Sequence, residues 1–178
     1  AARLCGIRRF VFVSSIGAVG ESTDGMPLAE TAGCAPTTAY GQSKLAAERA
    51  LLNENLQELV VIRPPLVYGK GAPGNIRRLA RLVGTGLPIP LGAVHNQRSL
   101  IHVTNLVDAL LLCCHEPRAS GKTFHVRDPS DYSTPELLRL TGAAMGRRPW
   151  LWPVPVRYLR ALGAAAGMAD AIDRLTGS

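Results

Sequence analysis

The chain has 178 residues, of which 47% are hydrophobic and 19% charged, and this composition predicts a globular fold that buries one sizeable core. Because it contains no run of 18 apolar residues and no apolar leader with a cleavage site, we predict neither a transmembrane helix nor a signal peptide. The formal net charge is +7, and residues 59–107 carry six positive charges and no acid, which favours a small phosphorylated ligand over nucleic acid, since aromatic residues make up only 5% of the chain.

The first part of the chain predicts a strand, a helix and a second strand. The β-branched and aromatic run "RRFVFVSS" predicts a buried strand over about residues 9–14, followed by a loop over 20–38. "TTAYGQSKLAAERALLNEN" predicts a helix capped by Thr37 or Thr38. The apolar stripe of this helix is expected to consist of Leu45, Ala46, Leu51 and Leu52. "ELVVIRP" predicts the second strand, which the two following prolines end.

Shorter elements follow. "NIRRLARLVGTG" predicts an amphipathic helix ending at Gly84 or Gly86, "RSLIHV" a short extended piece before the helix "TNLVDALLLCCHE", and "KTFHV" another strand. "STPELLRLTGAAMG" predicts a helix capped by Ser133, and the tail beyond it is proline-rich and then helical. Trp150 and Trp152 are expected to pack in the core, and the alternative is that they line a substrate pocket. Strands that alternate with helices predict an α/β fold with a parallel sheet, to which an α+β portion is appended.

Two groups of residues are candidates for chemistry. Tyr40 and Lys44 lie four residues apart in "AYGQSK" and so share one face of the predicted helix. A lysine ammonium beside a tyrosine favours the phenolate, which can take a proton from a sugar or alcohol hydroxyl as hydride leaves its carbon. Ser14 and Ser15 end the first strand, at the edge of a parallel sheet where ligands bind. The alternatives are a surface pair for the first group and turn capping for the serines.

Five segments carry a resemblance to a known family: "FVFVSSIGAVGE", "PTTAYGQSKLAAERAL", "VIRPPLVYGKG", "RSLIHVTNLVDALL" and "GKTFHV". Their order and spacing resemble the extended short-chain dehydrogenase/reductases of the NAD-dependent epimerase/dehydratase type. The resemblance implies a Rossmann domain with a smaller C-terminal substrate domain, and NAD or NADP as cofactor. It also implies that Tyr40 is the acid or base, that Lys44 binds the nicotinamide ribose and tunes the tyrosine, and that Ser15 assists.

The same resemblance implies a set of binding residues. The implied cofactor contacts are Ser14, Tyr40, Lys44, Pro64, Leu66 and Val67. The implied substrate contacts are Ser15, Asn75 and Arg98, the last two at the diphosphate of a nucleotide sugar. Leu66 stands where several sugar epimerases have an asparagine that contacts the sugar, so the particular sugar stays open.

The family's glycine-rich dinucleotide fingerprint is missing from its expected place. "GKGAPG", residues 69–74, matches G-x-G-x-x-G, but no acid follows it before Asp108, and Pro73 lies inside the turn, so we interpret these glycines as turn formers. We therefore expect the chain to be a fragment, to pair with another chain, or to come from a decayed gene. Residues 1–70 are predicted to form the C-terminal half of a Rossmann-like NAD-binding domain. Residues 71–178 are predicted to be mainly substrate-binding, with short segments that return to the Rossmann part.

These features predict an NAD(P)-dependent nucleotide-sugar epimerase, similar to UDP-glucose 4-epimerase, that acts on a UDP-sugar or a related nucleotide sugar. The alternatives are a nucleotide 4-keto-sugar reductase of the same family, a steroid-like or flavonoid-like alcohol reductase, and a truncated non-catalytic nucleotide-binding domain. We expect no nucleic-acid or membrane partner, and a homodimer of the longer protein. Four cysteines without CxxC spacing predict reduced, buried thiols, a cytoplasmic location and no metal, since Cys113, Cys114 and His115 point in different directions on a helix.

A parallel sheet that lacks some of its strands exposes an edge and faces that other elements would cover. We therefore expect the 178-residue chain to self-associate. Size-exclusion chromatography with light scattering measures this, and a monomer that unfolds cooperatively would contradict it.

Overall fold

The computed structural model describes residues 6–23, 27–54, 56–70, 75–165 and 167–177 of the chain. Its strands are β1 (Arg9–Val13), β2 (Glu58–Arg63), β3 (Leu66–Tyr68), β4 (Arg98–His102), β5 (Thr123–His125) and β6 (Asp131–Tyr132). Its helices are α1 (Ala39–Asn53), α2 (Asn75–Gly84), α3 (Val103–His115), α4 (Thr134–Ala144), α5 (Val156–Ala165) and α6 (Ala169–Thr176). The chain divides into two compact units, a first unit of Ala1–Lys70 and Leu100–Pro129 and a second unit of Gly71–Ser99 and Ser130–Ser178.

The first unit contains a parallel sheet in the order β1–β2–β5, in which α1 connects β1 to β2. Arg9 lies opposite Glu58, and Ile62 lies opposite Phe124, which sets the register of the three strands. β3 and β4 form a second parallel pair. The predicted α/β fold with a parallel sheet is therefore confirmed, and its first strand, helix and strand form a βαβ unit.

The core of the first unit lies around β2, which runs between β1 and β5. Five of the six residues of β2 are buried, which explains its almost continuously apolar sequence. The core cluster consists of Val60, Ile62, Ile101, Leu106, Cys113 and Ala119. Burial of a large aliphatic side chain stabilises a fold by about 1.5–3 kcal/mol, so this cluster is a major source of stability for the unit.

The inward face of α1 differs from the predicted apolar stripe. The buried residues of α1 are Gly41, Leu45 and Glu48. Of the four predicted stripe residues only Leu45 is buried, while Ala46 and Leu52 are exposed, so the predicted stripe was wrong. The physical reason is that the residues of a helix that face inward depend on what they contact in the tertiary structure. Here Glu48 faces inward because it binds a buried cation.

A buried ion pair joins α1 to β2. The Arg63 guanidinium donates to both carboxylate oxygens of Glu48, from Nε at 3.0 Å and from Nη2 at 2.6 Å. Burial alone would raise the pKa of Glu48, but hydrogen bonds from Arg63 and the proximity of Ser14 outweigh burial and lower this pKa. Arg63 also lies 3.5 Å from His125 Nε2 and 3.5 Å from Cys34 Sγ, so the pair belongs to a polar cluster that reaches β5.

The second unit contains α2 packed on α4. α4 begins with a capping box in which the side chains of Ser133 and Glu136 each accept from the other's backbone amide, which confirms Ser133 as the cap. β6 pairs antiparallel with the first two residues of β4. The buried Asn96 amide donates to the Gly177 carbonyl at 2.7 Å and to the Thr134 hydroxyl at 3.1 Å, which attaches the segment after α6 to this unit.

Trp150 and Trp152 do not lie in the core. Their side chains are 60% and 47% exposed, so the expectation of core packing was wrong. Leu151 lies between them and forms a parallel bridge with the buried Ile89. Because successive side chains of an extended segment point to opposite faces, the inward position of Leu151 turns both tryptophans outward.

The remaining expectations concern cysteines, metals and the membrane. Cys34, Cys113 and Cys114 carry free thiols, and the expectation of burial was wrong for Cys114, which is exposed. Within the described ranges no group of His, Cys, Asp or Glu is arranged to hold a metal ion. No helix in the described part of the chain has both the length and the apolar character needed to cross a bilayer. Cys5 and residues 71–74, which include most of "GKGAPG", lie outside the described residues.

We expect Glu48→Gln to lower the free energy of unfolding by about 3 kcal/mol, because it leaves the Arg63 guanidinium buried without a counter-charge. The double variant Glu48→Leu/Arg63→Met removes both charges and is expected to recover most of this loss. Urea unfolding followed by circular dichroism measures both effects. The matched control is Asp173→Asn, because Asp173 pairs with Arg160 where both side chains are mostly exposed, and its loss should barely move the urea midpoint. Equal effects of Glu48→Gln and Asp173→Asn would show that the buried pair has no special role.

Candidate active site

The N-terminus of α1 is held by Glu21 from the preceding loop. The Glu21 carboxylate accepts four hydrogen bonds, from the backbone amides and the hydroxyls of Thr37 and Thr38, at 2.6 to 3.0 Å. The Thr38 hydroxyl also accepts from the Gly41 amide at 3.1 Å and so caps the helix, as predicted. Burial would raise the pKa of Glu21, but these hydrogen bonds dominate and lower it to about 2. The start of α1 is therefore held by an ionised carboxylate.

A close backbone approach brings α1 to the end of β1. Gly41 is buried, and a Cβ atom at this position would collide with the Gly17 carbonyl. Gly17 belongs to a 3-10 turn, Ile16–Ala18, that directly follows β1. The hydroxyl of Ser15 caps this turn by accepting from the Gly17 amide at 3.1 Å. The close approach thus places the turn after Ser15 against the turn of α1 that carries Tyr40.

Lys44 connects the predicted tyrosine to the sheet. Its ammonium donates to the Val13 carbonyl, at the carboxyl end of β1, at 3.1 Å. The same nitrogen lies 5.9 Å from the centroid of the Tyr40 ring and 5.4 Å from that of the Phe12 ring. Tyr40 is 60% exposed, whereas Lys44 is half-buried. An ammonium has three donors, so Lys44 retains capacity for a ligand while it stays close to the tyrosine.

The two serines at the end of β1 have different surroundings. Ser15 is half-buried in the capped turn. Ser14 is buried, and its amide donates to the Ile62 carbonyl at 2.7 Å. Among the described residues its hydroxyl makes no hydrogen bond of ordinary geometry, although it lies close enough to Glu48 to lower the pKa of that carboxyl. Ser14 therefore faces the buried ion pair, and Ser15 lies nearer the surface.

The segment after β2 approaches the segment after β1. The Pro64 carbonyl accepts from the Ile16 amide at 2.9 Å. Leu66 and Val67 then begin β3, where both are half-buried, and Val67 packs against the core cluster. The predicted cofactor contacts Pro64, Leu66 and Val67 thus all belong to the first unit, together with the tyrosine and the lysine.

Asn75 and Arg98 belong to the second unit. Asn75 opens α2, as predicted, and its side chain lies outside the described part of the structure. Arg98 opens β4, and its Nη2 donates to the Gly177 carbonyl at 3.3 Å. Its Nε atom is buried, and no partner for this atom occurs among the described residues. Burial lowers the pKa of Arg98, because no carboxylate in the described ranges pairs with it.

Sequence reasoning missed three charged anchors: Glu21, the Glu48–Arg63 pair and Asp128. The Asp128 carboxylate accepts from the Tyr68 hydroxyl at 2.9 Å, the His102 amide at 3.1 Å and the Asn105 side chain at 2.7 Å. It thereby joins β3 to β4 and to the start of α3. No local sequence signal marks these acids, because their partners lie 15 or more residues away.

Comparison with known proteins adds independent findings. The sequence model of the NAD dependent epimerase/dehydratase family matches residues 1–126. The UDP-glucose 4-epimerase of Vibrio cholerae is 40% identical over 178 residues, which cover 97% of this chain and 54% of that protein. The structure of MoeE5 in complex with UDP-glucose and NAD is 30% identical with a TM-score of 0.69, over 85% of this chain and 52% of that one.

A further solved structure is only 24% identical, so its similarity to this chain supports the fold and nothing more. The NAD complex of the Thermus thermophilus UDP-glucose 4-epimerase has a TM-score of 0.70 at 24% identity, over 99% of this chain and 67% of that one. The chain spans about half the length of the curated relatives that match it over most of its own length.

The lowered pKa of Glu21 predicts a dependence of stability on pH. Since the pKa of about 2 in the folded state lies below the ordinary value of 4.5, the stabilisation is complete above pH 4.5 and is lost as the pH falls towards 2. At neutral pH we expect Glu21→Gln to be less stable than the parent. Between about pH 2 and pH 4.5 we expect its free energy of unfolding to change less steeply with pH than that of the parent. Urea midpoints measured from about pH 2 to 7 test this, with Glu54→Gln as the control. An unchanged slope in Glu21→Gln would refute the assignment.

Proposed function

Because the chain belongs to the NAD dependent epimerase/dehydratase family, we propose that it is the catalytic and substrate-binding part of a nucleotide-sugar epimerase that acts on a UDP-sugar. The observation that carries the proposal is the position of Lys44, whose ammonium is bonded to the end of β1 and lies beside the Tyr40 ring. The 40% identity to a UDP-glucose 4-epimerase and the UDP-glucose in the MoeE5 structure support this substrate class.

In the proposed reaction Tyr40 moves the proton. Its phenolate oxygen takes the proton of a sugar hydroxyl as the carbon that bears that hydroxyl is oxidised, and the phenol so formed later returns the proton to the same oxygen. Lys44 places a positive charge beside the Tyr40 ring, and the bond to Val13 keeps that charge in place. Ser15 donates a hydrogen bond to the reacting oxygen. Inversion follows when the sugar presents its opposite face before reduction.

The residues of the first unit suit the nicotinamide end of the cofactor. NAD, when bound, supplies the hydride acceptor and donor of the reaction. Lys44 and Tyr40 lie at the carboxyl edge of a parallel sheet, which is where such folds bind ligands, and Pro64 is bonded to the turn after Ser15. In the proposal Lys44 holds the nicotinamide ribose, and Ser14, Pro64, Leu66 and Val67 border the ring.

The second unit provides the proposed diphosphate contact. Arg98 is a half-buried cation whose Nε atom is buried, and no carboxylate in the described ranges pairs with it. A buried guanidinium without a counter-ion is costly, and a diphosphate that accepts from it removes this cost. Asn75 at the N-terminus of α2 is the second proposed contact, since helix N-termini favour anions. The assignment of residues 1–70 to the cofactor and of 71–178 mainly to the substrate belongs to the same proposal.

A nucleotide 4-keto-sugar reductase of the same family is the second candidate, because Leu66, an apolar residue of β3, stands where several sugar epimerases have an asparagine and so leaves the particular sugar open. Both reactions use Tyr40 and Lys44 in the same way. They differ in stoichiometry, because a reductase consumes one reduced cofactor for each turnover and an epimerase consumes none.

The proton role of Tyr40 is tested in the full-length product of the gene that carries this chain. We expect Tyr40→Phe to lower kcat for the interconversion of UDP-glucose and UDP-galactose by about 10²- to 10⁴-fold, because the general acid–base is lost. Tyr158→Phe is the control, since Tyr158 is an exposed tyrosine of α5. An activity loss in both variants, or in neither, would overturn the role.

The diphosphate contact is tested by calorimetric titration of UDP into the 178-residue chain. We expect Arg98→Ala to weaken UDP binding by about 10- to 100-fold, the value of one or two charge-assisted hydrogen bonds. Arg78→Ala removes an exposed arginine of α2 and is expected to have little effect. Failure of UDP to bind the parent chain would contradict the assignment of Arg98 and Asn75 to nucleotide-sugar binding.

A further inference from the structure

Two neighbouring segments of the second unit carry a group of exposed large side chains. It consists of Leu87, Met145, Arg147, Arg148, Trp150 and Trp152, and is called here the Trp–Arg ridge. Backbone hydrogen bonds hold its two segments together, from the Ile89 amide to the Trp150 carbonyl at 2.7 Å and from the Trp152 amide to the Ile89 carbonyl at 2.9 Å. The Arg147 guanidinium donates to the Gly84 carbonyl at 2.7 Å, so the arginines lie beside the end of α2.

The apolar members of the ridge are large and face solvent. Leu87 is 65% exposed and Met145 is 41% exposed, and the two tryptophan rings lie edge to face with centroids 5.6 Å apart. A cluster of exposed large apolar residues with a charged rim marks an interaction surface more often than an incidental one. The ridge lies wholly in the second unit, whereas the proposed catalytic tyrosine and lysine are in the first unit.

The charge around the ridge has one sign. Its two segments lie in the two acid-free stretches of the chain, residues 59–107 and 137–169. Arg139, Arg147 and Arg148 line one depression together with Ala143, Gly146 and Pro149. The whole second unit contains ten arginines, no lysine and four acids, a formal net charge of +6, against +1 for the first unit. The expected partner is therefore anionic.

We propose that the Trp–Arg ridge docks the protein on the surface of an anionic phospholipid bilayer without crossing it. Tryptophan is the side chain that prefers the boundary between headgroups and acyl chains, and arginine binds phosphate oxygens with two parallel hydrogen bonds. Leu87 and Met145 add apolar depth, and because exposed tryptophans also stack on nucleic-acid bases, quenching by brominated acyl chains is the observation that distinguishes a bilayer from nucleic acid. A second copy of the same strongly basic unit is disfavoured by charge repulsion. A surface contact of this kind departs from the expectation of no membrane partner, which rested on the lack of an apolar segment long enough to span a bilayer.

Fluorescence tests the contact directly, because Trp150 and Trp152 are the only two tryptophans of the chain. We expect vesicles of equal parts phosphatidylglycerol and phosphatidylcholine to shift the tryptophan emission to shorter wavelength, and brominated acyl chains to quench it. Vesicles of phosphatidylcholine alone are expected to have little effect, since they lack negative charge. The test needs no nucleotide sugar, so its outcome is independent of the proposed enzymatic function.

Vesicle sedimentation with matched variants measures separately how much the arginines and the tryptophans of the ridge contribute to vesicle binding. We expect Arg148→Glu to weaken binding by about tenfold, whereas Arg49→Glu, the same charge change on α1 of the first unit, should have little effect. We expect Trp150→Ala/Trp152→Ala to weaken binding by about tenfold or more. Leu111→Ala/Leu112→Ala removes exposed apolar surface from α3 and is the corresponding control.

Four results would overturn the proposal. The first is no sedimentation of the parent chain with anionic vesicles, and the second is sedimentation with unchanged tryptophan emission. The third is an emission shift that grows with protein concentration in the absence of lipid, which would mean that a second copy covers the ridge. The fourth is a full-length product whose emission is already shifted without lipid, which would mean that the rest of that protein covers it.

Discussion

The buried ion pair between Glu48 and Arg63 is the constraint on which the first unit depends. It attaches the middle of α1 to the end of β2 by two hydrogen bonds, and each charge is acceptable inside the fold only because the other is present. Tyr40, Lys44 and Glu48 follow one another at intervals of four residues, so they form one row along the helix. This row passes from an exposed tyrosine through a half-buried lysine to a buried carboxylate. A rotation of α1 that moved Lys44 away from Val13 would also break the buried pair.

The end of this row that carries Tyr40 is held by hydrogen bonds to a loop carboxylate and by a close backbone approach. Glu21 satisfies the amides and hydroxyls of Thr37 and Thr38, and the absence of a side chain at Gly41 allows α1 to touch the turn after Ser15. Each of these contacts joins α1 to the loop after β1. The candidate catalytic side chains thus lie between two fixed points on one rigid helix. Precise placement of this kind is what proton transfer at a substrate oxygen requires.

The two units differ in charge as well as in structure. A net charge of +7 describes the whole chain, yet nearly all of it belongs to the second unit. In the first unit the acids are used as anchors, at Glu21, Glu48 and Asp128, each of which has a lowered pKa. The second unit has few acids and many exposed arginines. Its electrostatic field attracts anions, which suits both the proposed diphosphate contact at Arg98 and the proposed phospholipid contact at the Trp–Arg ridge.

The sequence by itself determined the order of the longer strands and helices, without β3 and β6, as well as the parallel α/β class and the pairing of Tyr40 with Lys44. These follow from short-range rules, since the apolar patterns, the caps at Thr38 and Ser133 and the helical interval of four residues all act within one element. Only the tertiary structure decided that Glu48 is buried in place of Leu52, that Ser14 and Ser15 face different surroundings and that Trp150 is exposed. Each of these depends on a partner distant in the chain, such as Arg63 for Glu48 or Ile89 for the segment around Trp150. Burial is a property of contacts between elements, and no pattern within a single element specifies which distant residue will complete them.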